Sequence, residues 1–144
     1  MGNITDVIAM GDDGYEYTEN YCQNYQNISM SLFENDSFIA ITWANMDPKI
    51  DGKPISLWES IKVEKDQILE MSFATIGARS YIAFSGGIDS KPRLGSRSTF
   101  HKAGVGGIEG KAIQDDQEIA INKSKSTIGR KIRKDSIPKF SKGK

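Results

Sequence analysis

The residues best equipped for chemistry lie between Ser85 and Gly110, where the chain reads SGGIDSKPRLGSRSTFHKAGVGGIEG. Seven of its fourteen glycines fall in this stretch, more than a core strand has use for. Gly86-Gly87 and Gly106-Gly107 permit positive φ and close backbone approach, so backbone N–H groups can face an anion. Pro92 stiffens the path into the second half. Ser96, Ser98 and Thr99 supply hydroxyls, and Arg97 supplies a planar fork suited to a carboxylate or phosphate. Gly86, Gly87, Gly95, Ser96, Arg97, Ser98, Thr99, Gly106 and Gly107 are therefore the candidate substrate- or anion-binding set. At the level of residues a second reading stands beside it. The stretch also fits a long structural connection whose serines cap turns and whose Arg97 meets a buried acid. The spacing is not G-x-x-x-x-G-K-[ST], so no nucleotide P-loop is implied.

Other reactive groups are sparse. His101 is the one histidine; it has the chemistry of a general base near neutral pH, although a lone exposed histidine usually has no such role. Cys22 has no identifiable base partner to make it a nucleophile. Asp89 and Glu109 read as ion-pair partners for Arg97 or Lys111. Trp43 and Trp58 read as core or interface packing rather than a ligand platform. Catalytic residues stay unassigned, and no metal site is expected.

The elements that must position the loop are strands. ISMSLF, SFIAITW, ILEMSFAT and SYIAFS show near period-two alternation with β-branched and aromatic residues. Ile39, Ile41 and Trp43 share one face, as do Leu69, Met71 and Phe73; Ile39, Ile41, Phe73 and Tyr81 are expected in the core. Asn35-Asp36, Asp51-Gly52, Lys65-Asp66 and Gly77 punctuate the runs, with Asp51-Gly52 the strongest hairpin signal. No helical period is sustained. The spacing predicts an all-β module of closely spaced antiparallel strands over residues 28–87, forming a barrel or barrel-like sheet, followed by the glycine-rich loop and QEIAI as one further short strand, the whole making one subdomain over residues 28–121. Residues 1–27 read as a divergent or loosely ordered segment, and residues 122–144 as a basic linker or disordered tail.

At 144 residues the chain is the size of one domain. Its formal charge of zero hides an acidic body and a basic end, since Lys123 to Lys144 holds nine Lys or Arg and one acid, Asp135. Nucleic-acid binding through that end is disfavoured, because Phe140 is the only aromatic among those cations. A lone cysteine favours a reducing compartment. No leader opens the chain, and no apolar run approaches the roughly 20 residues that span a bilayer. A cytoplasmic protein without a membrane partner is expected.

YIAFSGGIDSKPRLGSRSTFHKAGVGGIEGKAI resembles the signature of the KipA family, also called the 5-oxoprolinase C-subunit or allophanate hydrolase subunit two, which includes the carboxyltransferase part of urea carboxylase. Tyr81, Ala83, Gly86, Gly87, Gly95, Ser96, Arg97, Ser98, Thr99, Gly106, Gly107 and Gly110 match its Y-L-A-V-x-G-G … G-S-R-S-T … G-G-x-x-G pattern. Upstream, DGKPISLWESIKVEKDQILEM resembles the family's hairpin region through Gly52, Pro54, Trp58 and Asp66. The likeness covers residues 29–121. The family's opening motif is absent, and where the family has T-G-A-D this chain has Thr42-Trp43-Ala44-Asn45. A larger cyclophilin-like β subdomain follows in the family, so the resemblance implies a partial member, a front subdomain with the signature loop.

The resemblance implies a partial subunit of an ATP-hydrolysing 5-oxoprolinase or of a biotin-dependent carboxyltransferase, working on an amide or lactam and inactive alone. It implies a KipI-like B-subunit for a partner, and an A-subunit in some complexes. No cofactor is expected on this chain itself, with ATP or biotin belonging to the full complex. Arg97 would position the anionic group, Ser96, Ser98 and Thr99 would donate hydrogen bonds, and the glycines would permit contact. The alternative is a non-catalytic regulatory module of the KipI-antagonist type.

Overall fold

The computed structural model describes residues 4–11, 14–20, 29–72, 74, 76–113, 117–123 and 129–139. Its strands are β1 (Ile4–Gly11), β2 (Gly14–Asn20), β3 (Ser29–Leu32), β4 (Ser37–Asn45), β5 (Lys49–Ile50), β6 (Lys53–Pro54), β7 (Ser60–Val63), β8 (Ile68–Met71) and β9 (Ile76–Phe84). They form a five-stranded sheet, β2-β1-β9-β4-β7, and a four-stranded sheet, β3-β8-β5-β6. The expected all-β, antiparallel character is present. Among the described pairings β1 beside β9 is the parallel exception. The helices described are two three-residue 3-10 turns, His101–Ala103 and Lys134–Ser136, and none is long or apolar enough to cross a membrane.

Alternation builds the core. Ile39 lies opposite Phe84 and Ile41 opposite Ile82 across β4 and β9, so one face of the larger sheet presents an aliphatic and aromatic layer. Leu69 and Met71 of β8 and Ile50 of β5 join them from the smaller sheet, with Val63 and Phe33 completing one cluster. The Phe33 and Phe84 rings meet at 6.4 Å. Each such side chain, once buried, contributes about 1.5–3 kcal/mol. Ile39 and Ile41 are buried as expected, Tyr81 is half-buried, and Phe73 lies outside the described residues.

Turn chemistry fixes the register. Asp51 and Gly52 link β5 to β6 with φ of 50° and 73°, the two positive angles of a type I′ hairpin. The same aspartate stitches the hairpin to β8, because its Oδ1 accepts the Ile68 N–H at 2.9 Å and its N–H donates to the Ile68 carbonyl at 3.0 Å. Between β7 and β8, Asp66 adopts φ 67° and donates its N–H to the Phe33 carbonyl at 2.7 Å. Asp36 accepts the Lys65 N–H at 3.0 Å, which holds its carboxyl below the ordinary aspartate range, with smaller help from the Lys62 ammonium.

Three expectations are corrected. Trp43 does not follow Ile39 and Ile41 inward; it is 48% exposed. A register shift between Trp43 and Asn45 interrupts the β4–β9 ladder, and Trp43 takes φ 73°, so this bulge turns it out and brings Ala44 and Met46 in. Gly77 does not break the chain but lies inside β9. QEIAI forms no strand; it makes an isolated bridge between Ile121 and Ile88, with Ile119 and Ile121 packed partly against the core.

The ends also carry structure. Within residues 1–27, β1 and β2 form a hairpin whose first strand extends the larger sheet, Ile4 pairing with Arg79 and Val7 with Ile82. Within residues 122–144, a short stretch lies antiparallel to the start of β7. Ser60 donates to the Arg130 carbonyl at 2.7 Å and Ile132 to the Trp58 carbonyl at 3.0 Å.

Candidate functional site

The glycine-rich segment leaves β9 and is pinned at once. Gly87 donates to the Phe84 carbonyl at 3.0 Å and accepts from Asn122 at 2.9 Å, while Asp89 donates to the Ala120 carbonyl at 2.8 Å. Ile88, 2% exposed, anchors this first part in the core. Beyond it come two tight hairpins. Arg93 and Ser96 exchange backbone hydrogen bonds at 2.7 and 3.0 Å around Leu94 and Gly95, whose φ values of 53° and 80° give a second I′ turn. Phe100 and Val105 pair around the 3-10 turn His101–Ala103. A compact turn, Gly106 to Gly110, closes the segment through the Gly110 N–H on the Gly106 carbonyl at 2.9 Å.

The turn can close only because Gly106 is glycine. It has φ 77°, and a Cβ there would land on the Ser98 carbonyl oxygen. The GSRST stretch thus packs directly against the turn, and Gly107 donates to the Arg97 carbonyl at 2.9 Å.

Between these pieces lies a cleft of about 650 Å³, within the size range of small-ligand sites. One side is residues 89–91 with Arg93, the other residues 104–110. Of the nine candidate site residues, Gly106 and Gly107 line it. Gly86 and Gly87 sit where the segment is pinned to the end of β9, and Gly95 sits in the exposed hairpin. The Ser96 hydroxyl donates to the Ser98 hydroxyl and accepts the Ser98 backbone N–H, each at 3.1 Å. Thr99 backs Gly107, against which a Cβ would collide. The half-buried Arg97 donates an Nη1–H to the Ser90 carbonyl at 2.7 Å. That bond ties the GSRST stretch to the cleft's other side.

Lys91 and Arg93 line the cleft and were not in the candidate set. Their signal was in the sequence: two cations flanking Pro92, the second opening a two-residue turn with glycine at its second central position. Asp89 and Glu109 also line it. Their expected ion pairs with Arg97 or Lys111 do not form among the described residues. His101 is exposed in its 3-10 turn and outside the cleft lining, Cys22 lies outside the described residues, and no group of three or more potential metal ligands gathers among them. Trp43 contacts Tyr81, ring centroids 5.7 Å apart, and Trp58 is half-buried with its backbone N–H on the Ile41 carbonyl at 2.9 Å.

Residues 25–143 match the family described as carboxyltransferase domain, subdomain A and B. The chain belongs to this family. Among curated relatives, this carboxyltransferase domain is 37% identical over 93 residues to the 5-oxoprolinase C-subunit of Escherichia coli K12, an alignment covering 65% of this chain and 30% of that protein. It is 33% identical to the Haemophilus influenzae C-subunit, covering 60% and 28%, and 30% identical to urea amidolyase of Saccharomyces cerevisiae, covering 78% and 6%. Among solved structures, the Kluyveromyces lactis urea amidolyase superposes with TM-score 0.70 at 26% identity over 78% of this chain and 7% of that one. The chain thus spans less than a third of the length of the two bacterial C-subunits that it matches. The resemblance read from GSRST and its flanking glycines is borne out, and the solved relatives carry the same strand architecture.

Proposed function

We propose that this carboxyltransferase domain acts as a partial subunit of a 5-oxoprolinase-type or biotin-dependent carboxyltransferase complex, together with a KipI-like B-subunit, on an amide or lactam. The observation that carries the reading is the family match over residues 25–143, whose glycine-rich signature builds a segment that encloses a cleft of ligand size. Carboxyl transfer and ATP-driven lactam opening both place a carboxylate or phosphoryl oxyanion beside an amide. Fixed N–H donors and cations stabilise such a group without reorganising. Among the described residues no aromatic side chain lines the cleft, so its chemistry suits an oxyanion rather than a purine. In this reading ATP or biotin belongs to the assembled complex, in a cytoplasmic setting in keeping with the lone cysteine.

Co-expression with candidate partner subunits tests it. The purified chain alone is expected to show neither 5-oxoproline-dependent ATP hydrolysis nor carboxyl transfer to urea, and the assembled complex is expected to show one of them. Failure to associate with any such partner would remove the proposal. One observation favours a second reading, a non-catalytic regulatory module: the Ser96, Arg97 and Ser98 side chains make hydrogen bonds within the loop itself. Stable assembly without turnover would select that reading.

A further inference from the structure

The larger sheet buries one face and leaves the other only partly covered. On β4 and β9, Ile39, Ile41, Ser80, Ile82 and Phe84 are buried, while the residues alternating with them, Ala40, Thr42, Tyr81 and Ala83, keep part of their surface in solvent. These four stand in two cross-strand pairs, Ala40 with Ala83 and Thr42 with Tyr81. The bulge adds Trp43 to this outer face, since its indole, 48% exposed, rests against the Tyr81 ring. A tryptophan at φ 73° carries a left-handed cost that glycine, the family's residue at this place in T-G-A-D, does not. The strain holds a large apolar ring at the surface, the reverse of what folding alone favours.

The two borders of the same sheet are oppositely charged. Asp6 pairs with Tyr81 on one side and Glu19 on the other, so the three stand at one level on one face. Ile8 and Tyr17, also a pair, come two positions further along. The β1–β2 hairpin contains the acids Asp6, Glu16 and Glu19 and no cation within its strands. Across the sheet, the strap paired to the start of β7 reads Arg130-Lys131-Ile132-Arg133-Lys134, four cations without an acid. Its bonds to Trp58 and Ser60 set it level with the Thr42–Tyr81 and Ala40–Ala83 pairs. Glu19 and Tyr17 stand at that level on the opposite border.

We propose that this face binds a second copy of the chain, the two sheets packing face to face about a two-fold axis that runs along β9. β9 is the middle strand of β2-β1-β9-β4-β7. Such an axis lays β9 over β9 and β4 over β1, and it sets the acidic hairpin of each copy over the basic strap of the other. Trp43 then stands over the Asp6–Ile8 part of the second copy's β1. The other two-fold, running across the strands, would set acid on acid and cation on cation, which disfavours it. Five strands about 4.8 Å apart and about six residues long cover roughly 500 Å², or about 1,000 Å² for the pair. That is the lower limit for a specific interface, so the dimer is a weak one that dissociates on dilution.

Sedimentation equilibrium of the full chain from about 1 to about 200 µM tests it. The mass is expected to rise from 15.9 kDa toward twice that value, and added salt should reduce the association, because opposite charges align the sheets. Trp43→Gly, which relieves the backbone cost, should weaken the dimer by roughly tenfold or more, the scale of an aromatic anchor, with the far-ultraviolet circular dichroism unchanged. Glu19→Lys and Arg133→Glu should each weaken it, and the two changes together in one chain should restore it. A mass of 15.9 kDa at every concentration would overturn the proposal, as would a dimer indifferent to Trp43→Gly. Weakening in both charge variants without recovery in the double variant would overturn the hairpin-over-strap alignment. A chain that stays monomeric, yet loses a candidate B-subunit through Trp43→Gly, would give the face to that subunit and overturn the second copy as its occupant.

Discussion

Gly106→Ala tests whether the glycine-rich turn is a packed part of the fold or a slack connector. Alanine at φ 77° bears the left-handed cost of about 1–2 kcal/mol. The new methyl would also overlap the Ser98 carbonyl oxygen, and backbone cannot swing aside as a side-chain end can. Moving turn and GSRST stretch apart loosens two hydrogen bonds, Gly107 N–H to Arg97 and Gly110 N–H to Gly106, each 2.9 Å, at about 1 kcal/mol apiece. The expected total is roughly 3–4 kcal/mol. Gly95→Ala is the internal control. Its φ is 80° and no atom lies within 4 Å of the place a methyl would take, so only the conformational cost of about 1–2 kcal/mol applies. Urea unfolding followed by Trp43 and Trp58 emission gives the two losses, and hydrogen exchange at Gly107 and Gly110 shows whether the turn opens first. Equal losses for the two variants, with exchange unchanged, would refute the packed-turn account.

Arg97→Lys should lower stability by about 1–2 kcal/mol, because lysine cannot reproduce the fork that reaches the Ser90 carbonyl; unfolding midpoints indistinguishable from wild type would contradict the bracing role. Trp43→Gly should be more stable than Trp43→Ala by about 1 kcal/mol, the reverse of the usual strand order, since position 43 sits at φ 73°; paired denaturation curves decide it. The Glu59 carboxyl is held below its usual range, first by its hydrogen bond to the Lys131 ammonium and then by Ser56. A depressed folded pKa means the contribution is present above the ordinary glutamate pKa and lost as pH falls through the lowered value. Acidification through that window should therefore lower the protection factors of the Ser60 and Ile132 amides, after correction for intrinsic exchange, and Glu59→Gln should remove that pH dependence of protection; an unaltered profile in the variant would refute it.

Local chemistry made much of the fold legible. Asp51-Gly52 could mark a I′ turn because both positions need positive φ, and the alternation through Ile39 and Ile41 named a real core face. Trp43 escaped because a bulge changes the parity of a strand without any composition signal. The T-G-A-D comparison held the clue, since the family's glycine falls at the position where this chain carries φ 73°. Gly77 misled because a glycine inside a strand and one between strands look alike, and neighbouring strands decide which it is. In the cleft, GSRST drew attention through its hydrogen-bonding groups, but its arginine and serines bond to their own loop. Lys91 and Arg93 flank Pro92 in the sequence, but only the folding back of residues 104–110 places them on a shared concavity.

The short stretch around Lys131 has a consequence beyond the bonds it makes. β7 is the last strand of the larger sheet, and a bare final strand is a template onto which another molecule's strand can add. Arg130 and Ile132 occupy the hydrogen-bonding positions at its start, and Arg130, Lys131, Arg133 and Lys134 surround that border with positive charge. The basic end of the chain, whose charge first suggested a linker, thus serves as a selvage that keeps the sheet from fraying into its neighbours.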